Sequence, residues 1–235
     1  GYWLYLRYKS VKKTGTIAKA FLKEYPLPEV ARDYVRRTEE DKLIERIQKN
    51  DFIQVFGVSG IGKTSMITQV GWQLKGNFEK VIWLSGDDFS NISENTEITV
   101  AYQNHPYKLD ELLGKYNILI LVDNLNQNVK GFRDYFRRKN KSNSRCVITS
   151  LQANADKDET YNLSYVDIKV SRAILKSGRV KPSMSEITKI LYRVNGYPLI
   201  LRLAVNAVDN GDYTWGEFIS DINLPEMEDT ERNQL

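Results

Sequence analysis

The chain has 235 residues, 41% of them hydrophobic, and its 34 cationic and 30 anionic side chains leave a formal net charge of +4. That length supplies a core for one large domain or a domain and a half, and so even a charge balance implies no nucleic-acid partner by itself. A single cysteine, Cys146, excludes an intramolecular disulfide and suits a reduced cytosolic setting; the lone His105, an ordinary loop residue, has no companions for a His/Cys zinc site; and no apolar run approaches the ~20 residues of a membrane span.

Residues 1–25 are aromatic and basic, with Arg7, Lys9, Lys12 and Lys13 close together. They read as a linker or the end of an upstream element, such as the cytoplasmic exit of a membrane helix, or as a short element packed on the domain. Pro26 and Pro28 mark a linker. A helix is predicted over 38–48, with Thr38 as N-cap, Glu39, Glu40 and Asp41 in its first turn and Leu43, Ile44 and Ile47 on one face. The apolar stretch 52–56 reads as a strand, and 64–74 as an amphipathic helix. Another strand is predicted at 79–85, then a polar, loop-rich stretch over 86–103 and a short helix at 109–116. Ile118 to Val122 is a continuous apolar run, the pattern of a strand buried on both faces. A helix at 129–139 and a strand at 145–149 complete an alternation that predicts an α/β fold with a three-layer parallel sheet. From 166 onward only helices are predicted, at 166–176, 183–194, 198–208 and 214–222. The chain does not begin with methionine and closes on a polar stretch, which reads as a piece of something longer.

Between the strand at 52–56 and the helix at 64–74 lies GVSGIGKTS, which satisfies GxxxxGK[ST] at every fixed position. Gly57 and Gly62 allow tight turns and close backbone approach to oxygens, and the N–H groups of Gly60, Ile61, Gly62 and Lys63 can converge on an anion. Lys63 is placed to reach the β- and γ-phosphates, and the Thr64 hydroxyl to bind Mg²⁺. Asp123, closing the buried run ILILV, is the second expected Mg²⁺ ligand. Where a general base would follow that aspartate the chain has Asn124, Leu125 and Asn126. An amide such as Asn126 can orient a water but cannot take its proton at neutral pH, so turnover is expected to be slow. Guanine readers in this superfamily use Asn-Lys-x-Asp; Asn140-Lys141-Ser142-Asn143 lacks the acid, which favours adenine.

Val35-Arg36-Arg37-Thr38-Glu39-Glu40, LILVDNL, SRCVITS and NGYPLILRLA stand in the order of the motifs of the signal-transduction ATPases with numerous domains (STAND), the group that includes the NB-ARC proteins. The chain resembles them from about residue 26 to 222. The resemblance implies an ASCE-type P-loop NTPase domain followed by a small helical subdomain carrying the GxP motif; with the change to helices only placing the boundary near Ser164, these are 26–164 and 165–225, before a polar tail at 226–235. It implies that Arg37 and Pro198 join Gly57, Gly60, Ile61, Gly62, Lys63, Thr64 and Ser65 in holding ATP or ADP with Mg²⁺, and that the nucleotide is clamped between the α/β core and a helical lid. Arg36, Asn124 and Leu151 depart from the family pattern at the glycine of the arginine motif, the second acid and the sensor arginine.

The reading that follows is a cytoplasmic, nucleotide-dependent oligomerisation switch with weak ATPase activity. It would self-associate through the full-length protein and have effector and sensor domains outside this chain. Two alternatives stand beside it: an ATPase coupled to nucleic acid, motivated by the cations from Arg137 to Arg145, and a degenerate scaffold for protein contacts.

Overall fold

The computed structural model describes residues 25–86, 98–103 and 105–222. The expectations for 1–24, for most of the loop after residue 86 and for the polar tail lie outside them. The described elements are α1 (Glu39–Lys49), β1 (Phe52–Phe56), α2 (Lys63–Leu74), β2 (Lys80–Ser85), β3 (Thr99–Tyr102), β4 (His105–Lys108), α3 (Leu109–Lys115), β5 (Ile118–Asp123), α4 (Val129–Lys139), β6 (Arg145–Ser150), β7 (Thr160–Asn162), α5 (Ile168–Leu175), α6 (Met184–Val194), α7 (Pro198–Asn210) and α8 (Trp215–Asp221). None of these helices is long and apolar enough to cross a membrane.

Contacts divide the chain into two compact units. Ala31–Glu39, Gly57–Gly62 and Leu163 onward form the second; the other residues form the first. The first unit is built on a parallel sheet of order β2-β5-β6-β1-β7. One strand, β6, stands between β1 and β5. All five apolar residues of β5 are buried, as expected of a strand covered on both faces. Helix α4 buries Val129, Phe132 and Phe136 at helical spacing in a core with Phe52, Ile82, Ile120 and Ile148.

The sequence reading needs correction in one stretch and missed one strand. Within the stretch read as loop-rich, Thr99–Tyr102 is β3, which pairs antiparallel with β4, and His105 lies on β4 rather than in a loop. Each strand is four residues long and β4 contains Pro106, so no alternating signal marks them. Strand β7, with the polar sequence TYN, also carries no apolar pattern; it exists because it pairs with β1 at the sheet edge.

The basic cluster after residue 136 is largely engaged within the first unit. Arg137 pairs with Asp51 at 2.9 Å and with Glu159, Lys139 with Asp110 at 3.0 Å, and the Arg145 guanidinium donates to the Ile47 carbonyl at 3.1 Å. Arg133 joins the same group through Asp156 and Glu159, both at 2.9 Å. Arg133 and Arg137 hold α4 to the segment before β7, Lys139 holds it to α3, and Arg145 holds β6 to α1; cations committed in this way are poorly placed to collect phosphates.

The second unit is helical around Val170, Leu175, Ile187, Ile190, Leu201, Ala204 and Trp215, with Val35 packed against this core. Its helices carry strong local stops and starts. Ser183 and Thr214 form capping boxes with Glu186 and Glu217, and Asn195 and Gly211 close α6 and α7 in the left-handed region. The Ser183 hydroxyl and N–H hold the Glu186 carboxyl below its ordinary range; the Thr214 N–H and hydroxyl do so for Glu217, and the N–H groups of Val180 and Arg179 for Asp209. A carboxyl depressed in the folded state contributes stability above its unfolded value and loses it as pH falls through the folded one. Melting temperature should therefore drop below about pH 4, and less steeply in a Glu186→Gln/Asp209→Asn/Glu217→Gln variant. Equal slopes in thermal melts from pH 7 to 3 would contradict this.

Candidate functional site

Strand β1 is followed by the turn Gly57–Gly62, and Lys63 opens α2. The carboxyl ends of β1, β5 and β6 finish along one edge of the sheet, with Phe56 opposite Ser150 and Val122 opposite Ile148. In open α/β sheets that edge is where ligands bind.

Within the first unit the structure brings Lys63, Thr64 and Asp123 together. The Thr64 hydroxyl lies 3.0 Å from both oxygens of the Asp123 carboxylate. Burial lowers the Lys63 pKa, and the nearby Asp123 charge pulls it back up. Ser65 is exposed in the first turn of α2. The Thr149 hydroxyl donates to Asp123 Oδ1 at 2.6 Å and accepts the Asn124 N–H at 2.7 Å, while the Leu125 N–H donates to the Thr149 carbonyl at 2.8 Å. These bonds clamp the turn after β5 to the end of β6, with Asn124 in the left-handed region at φ 64°.

Asn126 is held as well. Its amide oxygen accepts the Leu151 N–H at 2.8 Å and its NH₂ donates to Asn124 Oδ1 at 2.7 Å. An open depression of about 550 Å³ borders Asn126, lined also by Asn128, Lys130, Asn154 and Asp156; no phosphate-loop residue lines it. The loop beyond β6 is anchored from beneath by Gln54, fully buried on β1. Its NH₂ donates to Ser150 Oγ at 2.7 Å and to the Gln152 carbonyl at 2.8 Å, and its carbonyl accepts the N–H groups of Asn154 and Ala155. Neither Thr149 nor Gln54 was among the expected site residues. The signal for Gln54 is a polar side chain inside the apolar strand FIQVF, since such a residue must be hydrogen-bonded if buried.

Within the second unit the structure gathers Arg37, Gly57, Gly60, Ile61, Gly62 and the amino end of α7, where Pro198 occupies the first helical position and is half-buried. Arg37 is 4% exposed. Its guanidinium donates to the Ile61 carbonyl at 2.9 Å, to the Ser164 carbonyl at 2.7 Å and to the Glu39 carboxylate at 2.8 Å. The Tyr197 hydroxyl donates to the Ser59 carbonyl. The Ile61 N–H turns toward the Val58 carbonyl at 3.4 Å, a long bond that closes a turn.

Gly60 has φ +76°, and a Cβ there would lie 2.8 Å from the Tyr197 hydroxyl and 2.9 Å from Leu199 Cβ. The motif GxxxxGK[ST] leaves this position open. Glycine is required here by α7, in both backbone conformation and space.

The donor set of Thr64 and Asp123 suits Mg²⁺. The ion takes oxygen ligands at about 2.0–2.1 Å in an octahedron, so neighbouring ligand oxygens stand about 3 Å apart, and it is usually held by one or two protein groups with waters and phosphates completing the shell. Among the described residues there is no cluster of three or more His, Cys, Asp or Glu side chains that could hold a metal alone.

No family model matches this sequence, and no curated protein matches it in sequence. Solved structures do. A Walker-type ATPase of Pyrococcus abyssi superposes with a TM-score of 0.56 at 13% identity, over 82% of this chain and 73% of that one. Domain III of the replication initiation protein DnaA from Thermotoga maritima gives 0.53 at 15% identity, over 83% and 96%. AMPPCP-bound DnaA from Aquifex aeolicus gives 0.51 at 14% identity, over 88% and 72%. At such identities the likeness establishes the fold, that of a P-loop ATPase with added carboxyl-terminal helices.

Proposed function

We propose that the chain is the ATP/ADP-binding core of a signalling ATPase of the STAND class, a nucleotide-dependent oligomerisation switch with slow hydrolysis. The observation that carries the nucleotide reading is the meeting of Thr64 and Asp123 at 3.0 Å beside Lys63, directly after a glycine-rich turn. In this reading Lys63 and the backbone N–H groups of the turn hold the phosphates, Thr64 and Asp123 hold Mg²⁺, Arg37 and Pro198 complete the nucleotide site, and Ser65 lies at its margin. Bound there, Mg²⁺ neutralises phosphate charge. The AMPPCP in the Aquifex DnaA structure supports a nucleotide as the ligand type.

Slow turnover rests on Asn124 and Asn126. Both stand where an acid would take the proton of the attacking water, and Asn126 is held by Leu151 and Asn124 in a position to orient a water only. The switch reading is supported by the packing inside the second unit: the turn Gly57–Gly62 touches α7 through Tyr197 and Leu199, so a change in what the turn binds is felt at a helix. Coupling to nucleic acid is the weaker reading, because Arg137, Lys139 and Arg145 already have partners.

The test is turnover with nucleotide competition. Excess chain with Mg·ATP should give product at well under the ~10 s⁻¹ typical of enzymes, displaced by ADP and not by GTP, with no stimulation by single-stranded DNA. Fast, DNA-stimulated turnover, or displacement by GTP, would overturn the reading.

A further inference from the structure

We infer that Tyr197 and Arg37 are positioning residues that aim the backbone N–H groups of Gly60 and Gly62 by gripping the carbonyls on the opposite edges of the same peptide planes. The inference rests on the nucleotide reading above and adds how the phosphate site is built.

A trans peptide is planar, so the carbonyl of one residue and the N–H of the next point in opposite directions, and fixing one fixes the other. The Tyr197 hydroxyl donates to the Ser59 carbonyl, which directs the Gly60 N–H away from Tyr197. Arg37 Nη1 donates to the Ile61 carbonyl at 2.9 Å, which directs the Gly62 N–H away from Arg37. The two peptides alternate along the loop, and both glycines sit at positive φ, +76° and +96°. The aimed amides are alternate ones, since the Ile61 N–H between them turns toward the Val58 carbonyl, and backbone N–H groups gathered in a turn in this way make an anion-binding concavity.

The grips are themselves held. Arg37 is buried and also bound to Glu39 and to the Ser164 carbonyl. The Tyr197 ring meets Tyr165 edge-on, with centroids 5.9 Å apart, and packs on the helical core. A Cβ on Gly60 would collide with the Tyr197 hydroxyl and Leu199, so the loop and the amino end of α7 are as close as their atoms allow. All of these groups belong to the second unit. Arg37 therefore serves the nucleotide through the loop, and Tyr197, between the glycine and proline of the NGYPL segment, does the same from α7.

Pre-aimed amides bind phosphate without the cost of reorganising the loop. Loss of one grip frees one peptide to rotate, so affinity falls for any ligand that offers a diphosphate and is indifferent to the base. Isothermal titration of Mg·ADP, with inorganic pyrophosphate as a base-free competitor, separates the possibilities. Tyr197→Phe keeps the ring and removes the hydroxyl; it should weaken ADP and pyrophosphate by the same factor, about five-fold. Arg37→Lys should weaken both by at least as much. The ligand-free Tyr197→Phe chain should melt within a few degrees of wild type, and it decides the matter alone if Arg37→Lys does not fold. Unchanged ADP affinity in Tyr197→Phe overturns the inference, as does a loss for ADP with none for pyrophosphate, which would put these side chains on the base or sugar. A wild-type chain that binds no ADP would instead overturn the nucleotide reading itself.

Discussion

Lys63→Ala should lower the affinity for Mg·ADP and Mg·ATP by about 10- to 100-fold, because a charged hydrogen bond contributes about 1.5–3 kcal/mol and the ammonium would make at least one, to the β-phosphate common to both. Its stability effect should be small and of opposite sign. Burial already pushes the Lys63 pKa down, which means the folded protein bears a cost for carrying that charge, relieved only in part by Asp123. Alanine removes the cost along with the charge. The ligand-free variant is therefore expected to melt no lower than the wild type, so a loss of binding cannot be assigned to a loss of fold. Undiminished ADP binding in this variant would move the phosphate site elsewhere on the molecule.

The second large effect is expected at Asp123. Replacement by asparagine keeps an oxygen for the Thr64 and Thr149 hydroxyls, which stand 3.0 and 2.6 Å from it, and removes the negative charge. Mg²⁺ is bound chiefly through carboxylate charge and phosphate, so Asp123→Asn should bind ATP with almost the same affinity with or without Mg²⁺, where the wild type gains at least about ten-fold from the ion. Any residual turnover should fall with it. The neighbouring Lys63 loses its counter-charge in the same variant, so its pKa falls further and its phosphate contact becomes pH-sensitive sooner than in the wild type. Titrations of ATP with Mg²⁺ and with EDTA measure this directly. A variant that keeps the full Mg²⁺ dependence would show that the ion is held by other groups.

The parts of the molecule legible in the sequence are those whose signal is local. The phosphate loop is spelled out in nine consecutive residues, and β5 is an unbroken apolar run ending in its aspartate. The helix starts at Ser183 and Thr214 announce themselves through a glutamate three residues on. Most of what escaped is set by partners far along the chain. Strand β7 owes its existence to β1; the hairpin β3-β4 is local but escaped because its strands are four residues long and β4 contains Pro106. Arg37 could be given a nucleotide role by resemblance, but its bonds to the carbonyls of Ile61 and Ser164 depend on how the chain folds back on itself. Gln54 is the intermediate case: its polarity in an apolar strand is a signal that went unread, and the loop it holds could be known only from the fold.

Asn124 and Asn126 are hydrogen-bonded to each other at the end of β5, and Asn126 also accepts the backbone N–H of Leu151. Substituting either asparagine would disturb the other, whereas the bond from residue 151 does not depend on its side chain.

The central claim is that this chain holds an adenine nucleotide at the loop around Lys63. Isothermal titration of the purified chain with Mg·ADP tests it most directly. Saturable binding of one ADP per chain, strongly weakened in Lys63→Ala and not reproduced by GDP, is the predicted result; absence of heat and of saturation in the folded wild-type chain would contradict the account.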